Sequence, residues 1–450
     1  MTATLTDALK KQILVDILDN VNDSAGAGNY YIGIGKSEDW NATDTAPTVL
    51  NSLREQRNFR LGLQSVKSAE DVSFVVPRNN WVSGTTYSAY DDNQVDYPTN
   101  AYYVLTDDDR VYICLQQGRN IAGESVASTI KPNDTGSASF KTADGYIWKF
   151  LYTLSATAKA KFLSSNFVPV KLQGLTDSNS VASEIEQELL QDSAIVGQIA
   201  NISITDGGTG YTSAPTIAIV GNGDSATATA IVSGGSIVDI KLDSNGIGKI
   251  NHGYGYDYAN VTITGGSGSG GEARANLSTK FGFAGDARDD LKSSSLMFNT
   301  KPAGTESGKF LVGQDFRQVA LIKNPKVPST DSDYTQASGL GLLKMTFSAV
   351  TQAFTADRTI SGGTSNAKAL VDTFDSDFLY YHQTEETGFT AFTNGEAISE
   401  DDGSGAGTAD SAAVTPDINR LTGDILYIEN RAAIDRSAEQ TEDIKVIVQI

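Results

Sequence analysis

The chain is poor in the residues that carry out most covalent and metal chemistry. Of its 450 residues one is cysteine, Cys114, and two are histidine, His252 and His382. A single cysteine excludes an intrachain disulfide framework and fits a chain made in a reducing cytoplasm. Cys114 lies in "RVYICLQ", an alternating strand pattern, and reads as a small buried hydrophobe. His252 falls in a Gly-rich loop and His382 in a Tyr-rich strand, and no Ser, Cys or Asp motif frames either one. The expectation is an exposed loop histidine and a β-surface histidine. Basic charge is also scarce: 34 Lys and Arg stand against 55 Asp and Glu, a net charge of -21. Such a surface repels phosphate backbones and anionic lipids, which argues against nucleic-acid and membrane-surface partners. No apolar run approaches the roughly 18 residues of a membrane span. The first residues, "MTATLTDALKKQILVDILDNV", have no secretory core, so the reading is a protein soluble where it is made.

Proline is low at 10 and glycine high at 43, so turns rest on glycine. One glycine stretch, "YYIGIGKSEDW" from Tyr30 to Trp40, holds a Gly-Lys-Ser that resembles half a phosphate-binding loop. The full pattern needs a glycine where Tyr30 stands, and a helix straight after Lys-Ser. The following "EDWNATDTAPT" does not open a helix, so the reading is a strand running into a polar turn, with no nucleotide and no other cofactor. Among the acidic clusters, "DDNQVD" from Asp91 lacks the central Gly and closing Glu of a calcium loop. Asp401, Asp402 and Asp410 flank a glycine stretch at irregular spacing and read as a solvated loop rather than a metal site. No catalytic residue, cofactor site or metal site is assigned.

Secondary-structure signals are mostly β. Leu5, Leu9, Ile13, Ile17 and Val21, widened by Leu14 and Leu18, predict one amphipathic helix. "SNSVASEIEQELLQDSA" predicts a second, with Val181, Ile185 and Leu189 or Leu190 on one face. Short runs such as "DVSFVVP", "AYYVLT", "RVYICLQ" and "YIWKFLYTL" predict strands, and "TDDDR" from Thr106 to Arg110 a hairpin turn. In a Gly/Ser/Ala/Thr-rich region "GGTGYTSAPTIAI" from Gly207 recurs as "HGYGYDYANVTI" from His252, which describes two small stacked or paired β units. The fold class expected is mainly β, with β-sandwich-like layers, a few helices and two small Gly-rich inserted β modules. The domain reading is 1–197 for the first part of the core, 198–280 for the repeat-bearing module, 281–345 for core, 346–413 for a second module, and 414–450 for closing core strands.

Six strings in order, "YYIGIGKSEDW", "VPRNNWVSGTTY", "YPTNAYYVLTDDDRVYICLQ", "DGYIWKFLYTLS", "GQDFRQVALIKNP" and "GDILYIENRAAIDRSAEQTEDIKVIVQI", resemble the baseplate wedge proteins encoded by gene eight in T-even-type contractile-tailed bacteriophages. The resemblance covers the tracts flanking the two Gly-rich regions. It implies a non-enzymatic structural subunit of the virion, a homodimer within each wedge that contacts other baseplate wedge subunits, assembled in the host cytoplasm. Trp40, Trp81 and Trp148 lie in or beside the matching strings, and are expected as core or interface anchors, core being the default. The alternative makes the modules host-surface glycan binders, with Tyr211, Tyr256, Tyr258, Tyr380 and Tyr381 as sugar-stacking surfaces.

Overall fold

A computed structural model describes residues 4–22, 29–69, 71–94, 101–174, 181–244, 249–376 and 378–450. The chain is mainly β and divides into two compact units, Met1–Lys11 with Ser73–Ser295, and Gln12–Val72 with Leu296–Ile450.

In the second unit a five-stranded sheet runs in the order Ser338–Leu340, Leu63–Ser68, Tyr30–Gly35, Asp315–Lys323, Asp424–Asp435. The central strand, Tyr30–Gly35, is buried along its whole length. It pairs antiparallel with both neighbours, Tyr30 opposite Lys323 and Tyr31 opposite Ser68. A strand buried on both faces needs small residues wherever neighbours press in. A Cβ on Gly35 would stand 2.6 Å from the Gly62 carbonyl oxygen, and one on Gly33 would stand 2.9 Å from the Leu63 side chain. The glycines of "GIG" therefore serve close packing.

From Leu343 to Val414 the same unit forms a closed six-stranded barrel. Its interior is filled by Met345, Phe347, Ile360, Val371, Leu379 and Ile398, among others. Gly-rich turns connect these strands.

The first unit holds a four-stranded sheet of Tyr103–Leu105, Arg110–Gln116, Ile147–Thr153 and Phe140–Lys141. The turn at 106–109 joins its first two strands as the expected hairpin, closed by Thr106 N–H to the Arg110 carbonyl at 2.9 Å. The Gly-rich region forms a six-stranded antiparallel sheet with the two repeat strands, Thr216–Gly221 and Ala259–Thr264, at its centre. Their pairing is reciprocal: Ile217 faces Ile263 and Ile219 faces Val261, so equivalent residues exchange places about a local two-fold. The flanking features obey the same symmetry. Tyr211 of one copy packs where a Cβ on Gly268 would meet its ring at 2.4 Å, and Tyr256 of the other packs against Gly223 at 2.4 Å. Each repeat's tyrosine plugs the glycine turn of the other. This module is anchored in its unit by Asn201, whose side-chain amide donates to the Tyr90 and Leu115 carbonyls at 2.8 and 2.7 Å.

Both expected helices form, as Asp7–Asn22 and Ala182–Asp192, but their apolar faces differ from the periodicity reading. Leu14 is fully buried while Leu5, Leu9 and Ile13 are exposed. In the other helix Gln187 and Leu190 are buried, and Val181, Ile185 and Leu189 are exposed. Periodicity finds a stripe but not which edge of it meets the core. Further helices form that periodicity does not mark, among them two with serine caps. Leu53–Leu61 is capped by Ser52, whose hydroxyl accepts from Glu55 N–H at 3.2 Å, and Ala156–Phe162 is capped by Ser155 in the same way. The Ser-x-x-Glu box at Ser52 and the glycine at Gly62 were the available signals.

Because the tyrosine rings leave no room, Gly223→Ala and Gly268→Ala should each destabilise the six-stranded sheet by about 1–3 kcal/mol. Gly234→Ala, where the new Cβ meets open space and only the positive φ of 63° opposes it, should cost about 1 kcal/mol. Hydrogen exchange localised to residues 199–277 checks the ranking.

Candidate functional site

Two polar clusters, one in each unit, concentrate the chemistry of the chain. In the second unit the strand Tyr30–Gly35 ends at Lys36, which adopts a left-handed φ of 63° and turns the chain into the segment "KSEDW". The next helix begins only at Leu53. The residues after Lys-Ser thus form a turn, whose peptide N–H groups are not gathered at a helix start as phosphate binding demands.

Ser37 donates its hydroxyl to Asp372 Oδ1 at 3.1 Å, and Asp372 Oδ2 lies 2.7 Å from His382 Nδ1. Asp372 and His382 are both fully buried, on neighbouring barrel strands. His382 Nε2 faces Glu38 Oε2 at 3.6 Å, and Glu38 Oε1 accepts from Lys36 Nζ at 2.8 Å. Burial alone would push the imidazole down, but the Asp372 and Glu38 carboxylates carry it up to about 10. Burial would likewise raise Glu38, yet His382 and Lys36 bring it down to about 2. The expectation of a β-surface histidine is therefore corrected: His382 is a buried imidazolium held between two carboxylates. A bulge between Val371 and Thr373 and a loop from the far end of the chain create this environment, which a local sequence window cannot reveal. An imidazolium has no lone pair, so at neutral pH His382 can serve neither as general base nor as metal ligand. Beside it Arg317, only 3% exposed, donates to Asp44 at 2.7 Å, to Asp39 at 2.6 Å and to the Ser37 carbonyl. These bonds clamp the turn from 36 to 44.

In the first unit His252 is also buried, not exposed as the Gly-rich context suggested. Its Nδ1 lies 2.7 Å from the Ile199 carbonyl and its Nε2 2.6 Å from Ser139 Oγ. A carbonyl can only accept, so Nδ1 carries the proton, and the neutral Nε2 must accept from the Ser139 hydroxyl. Burial pushes His252 down to about 4, and the nearby Lys149 adds to the shift. Sequence reading saw neither partner, because Ser139 and His252 are brought together only by the docking of the six-stranded sheet. The pair has the outline of a nucleophile and its base. It lacks a carboxylate behind the ring to stabilise an imidazolium, and a base this weak is far from the operating range of general-base catalysis.

The remaining sequence candidates are scattered. Trp148 is fully buried, stacked on Tyr146 with centroids 5.6 Å apart. Trp81 is partly buried and donates Nε1–H to Ser128 Oγ at 3.1 Å. Trp40 is partly buried under the Lys36 ammonium and donates to the Arg431 carbonyl at 2.8 Å. Tyr211, Tyr256 and Tyr381 are core residues, Tyr380 is partly buried, and Tyr258 stays 62% exposed, as Tyr254 is also exposed. Asp401 and Asp402 are engaged by Ser361, Lys368, Ser404 and Arg358, while Asp410 lies exposed on a strand. Asp91 and Asp92 pair with Arg274, and the end of "DDNQVD" falls outside the described residues. Cys114 is buried, and burial raises its thiol well above the usual range. Among the described residues no group of three His, Cys, Asp or Glu side chains is placed to hold a metal, and no helix is long and apolar enough to cross a membrane. No protein-family model matches the chain, and no curated protein matches it.

The His382 cluster makes stability depend on pH with a defined sign. A histidine raised on folding contributes fully below about pH 6.5, and its contribution is lost as pH rises through about 10. Lys149, pushed down by burial to about 8, has the opposite dependence above pH 8, so the comparison is made between chains that share it. Between pH 7 and 10 the wild type should lose on the order of 2–4 kcal/mol relative to His382→Gln. Denaturant titrations of both proteins across this range measure the difference.

Proposed function

We propose that the chain is a structural subunit of a contractile-tail baseplate wedge, working through contacts with neighbouring subunits rather than through catalysis. The observation that carries this reading is where five of the six family-like strings fall. "YYIGIGKSEDW", "GQDFRQVALIKNP" and "GDILYIENRAAID", far apart in the sequence, supply three adjacent strands of one sheet, Tyr30–Gly35, Asp315–Lys323 and Asp424–Asp435. "YPTNAYYVLTDDDRVYICLQ" and "DGYIWKFLYTLS" supply three adjacent strands of another. The resemblance thus follows continuous structural frameworks, while the two Gly-rich regions form sheets of their own. A non-catalytic role is supported by the two histidines, one a buried cation and one a weak base with no counter-ion. The homodimer and the wedge partners implied by the resemblance belong to the same proposal, as does a place in the virion.

A second reading, in which a module binds host-surface glycan, is favoured by Tyr254 and Tyr258, 53% and 62% exposed in the loop that leads into the strand Ala259–Thr264. Asn222 and Asp257, hydrogen-bonded to each other at 2.8 Å, lie beside them. Aromatic faces next to fixed polar groups are a common means of holding a sugar ring. Weakened binding of a glycan array by Tyr258→Ala would favour it.

In particles from an infection that expresses this chain, antibody against it should decorate the baseplate end of the tail in electron micrographs, and mass spectrometry should find the chain in the purified particles. Its absence from the particles overturns the proposal. With a net charge of -21, its association with a basic wedge partner should weaken as salt rises from about 50 to 500 mM, read by sedimentation.

A further inference from the structure

The Ser139–His252 pair lines a cavity of about 270 Å³ in the first unit. Its lining is apolar at Leu115 and Phe283 and polar at Lys149, Ser139 and His252, and includes the exposed Lys249. In a chain carrying -21 charges the described lining holds two lysines and no carboxylate, the reverse of the molecule's average. Lys149 is only 5% exposed, and its ammonium donates to the Ser137 carbonyl, a neutral acceptor. A buried ammonium without a counter-ion in its cavity is costly, and an entering anion removes that cost.

Ser139 adds a second requirement. Its proton is committed to His252 Nε2, because His252 Nδ1 must donate to the Ile199 carbonyl. The hydroxyl oxygen therefore offers the cavity lone pairs only, and these ask for a donor. Lys149 wants an anionic oxygen and Ser139 wants an O–H.

We propose that this cavity is a binding site for a small hydroxylated acid, a sugar acid or sugar phosphate, whose anionic group pairs with Lys149 and whose hydroxyl donates to Ser139 Oγ. The binding is non-covalent and independent of the assembly reading. At neutral pH Lys149, which burial pushes down to about 8, still carries the proton the site requires. The carboxylate whose charge acts on Lys149 is the buried Asp290, held by Thr279 Oγ1 and Ala284 N–H, each at 2.7 Å.

Calorimetric titration of the full chain at pH 7 with D-glucuronate, D-glucose 6-phosphate, D-glucose and acetate tests the site. Saturable binding is expected for glucuronate, glucose 6-phosphate or both, and which of the two binds tells carboxylate from phosphate. Glucose and acetate, each lacking one half of the recognition, should bind at least about tenfold more weakly. Lys149→Met, an exchange of a buried charge for an apolar chain that folded proteins usually tolerate, should weaken binding by about tenfold or more. Ser139→Ala should weaken it several-fold and serves if the lysine variant does not fold. Repeating the wild-type titration at pH 8 in buffers of different ionisation enthalpy should show proton uptake, since an anion favours the protonated Lys149. Absence of saturable binding by either acid, unchanged affinity in folded Lys149→Met, or equal binding of acetate overturns the proposal.

Discussion

The strand Tyr30–Gly35 has no solvent face, and much of the second unit follows from that. Its two pairings join residues near the start of the chain to Asp315–Lys323 and, through that strand, to Asp424–Asp435. Loop closure over such separations is entropically expensive and must be repaid by burial. The burial is supplied by Tyr31, Ile32, Ile34, Phe59, Leu63, Val66, Ala320 and Ile322, all at most 3% exposed. A fully buried strand cannot carry bulky residues on every position, hence the glycines at 33 and 35. Once the strand is placed, Gly35 abuts the Gly62 backbone and the chain must turn at Lys36, which delivers Ser37 and Glu38 to the barrel strands bearing Asp372 and His382. The motif that resembles a phosphate loop is thus a packing solution followed by an ion-pair clamp.

The charge balance bears on how the buried cations are used. With 55 acidic residues against 34 basic ones, each Lys or Arg is in demand. Arg317 satisfies Asp39, Asp44 and Asp315 together, and Arg436 holds Glu442 through two bonds of 2.7 and 2.9 Å while also donating to the Gly304 and Leu311 carbonyls. Planar guanidinium forks suit such multidentate duty better than ammonium groups. Buried pairs of this kind add little net stability but penalise any arrangement that separates them, so they specify how loops seat on sheets. Against that background Lys149, buried and facing a cavity without a carboxylate, stands out as a cation with work still to do.

How much of this was readable in the sequence depended on the range of the interaction. The hairpin at 106–110, the mainly β class and the existence of the helices at 7–22 and 182–192 rest on local alternation, turn chemistry and periodicity, and all are present. Which helix face is buried was not readable, because Leu14 and Leu190 are selected by what packs on them. The helix Leu53–Leu61 carries a local signal in its Ser52–Glu55 box, but it is short and stands among strand-like runs. The two histidines were misjudged for a different reason. A Gly-rich or Tyr-rich neighbourhood describes the local chain, whereas the environments of His252 and His382 are made by Ser139, Glu38 and Asp372, none of them close in sequence to its histidine except Asp372. The tyrosines divide similarly: repetition marked Tyr211 and Tyr256, but only the reciprocal packing against Gly268 and Gly223 shows that they are plugs.

The same residue type therefore ends in opposite states, and the difference is informative about what the chain can do. His382 has two carboxylates within reach and is locked as a cation. His252 has a carbonyl, a hydroxyl and a neighbouring ammonium, and is locked as a neutral ring. A catalytic histidine must pass between both states within one turnover. Each of these would have to give up the partners that hold its state, at a free-energy cost that a working acid–base residue avoids. In both units histidine fixes the position and polarity of its surroundings. That is how a residue holds its surroundings in place, His382 beside the turn at 36–44 and His252 beside Ser139.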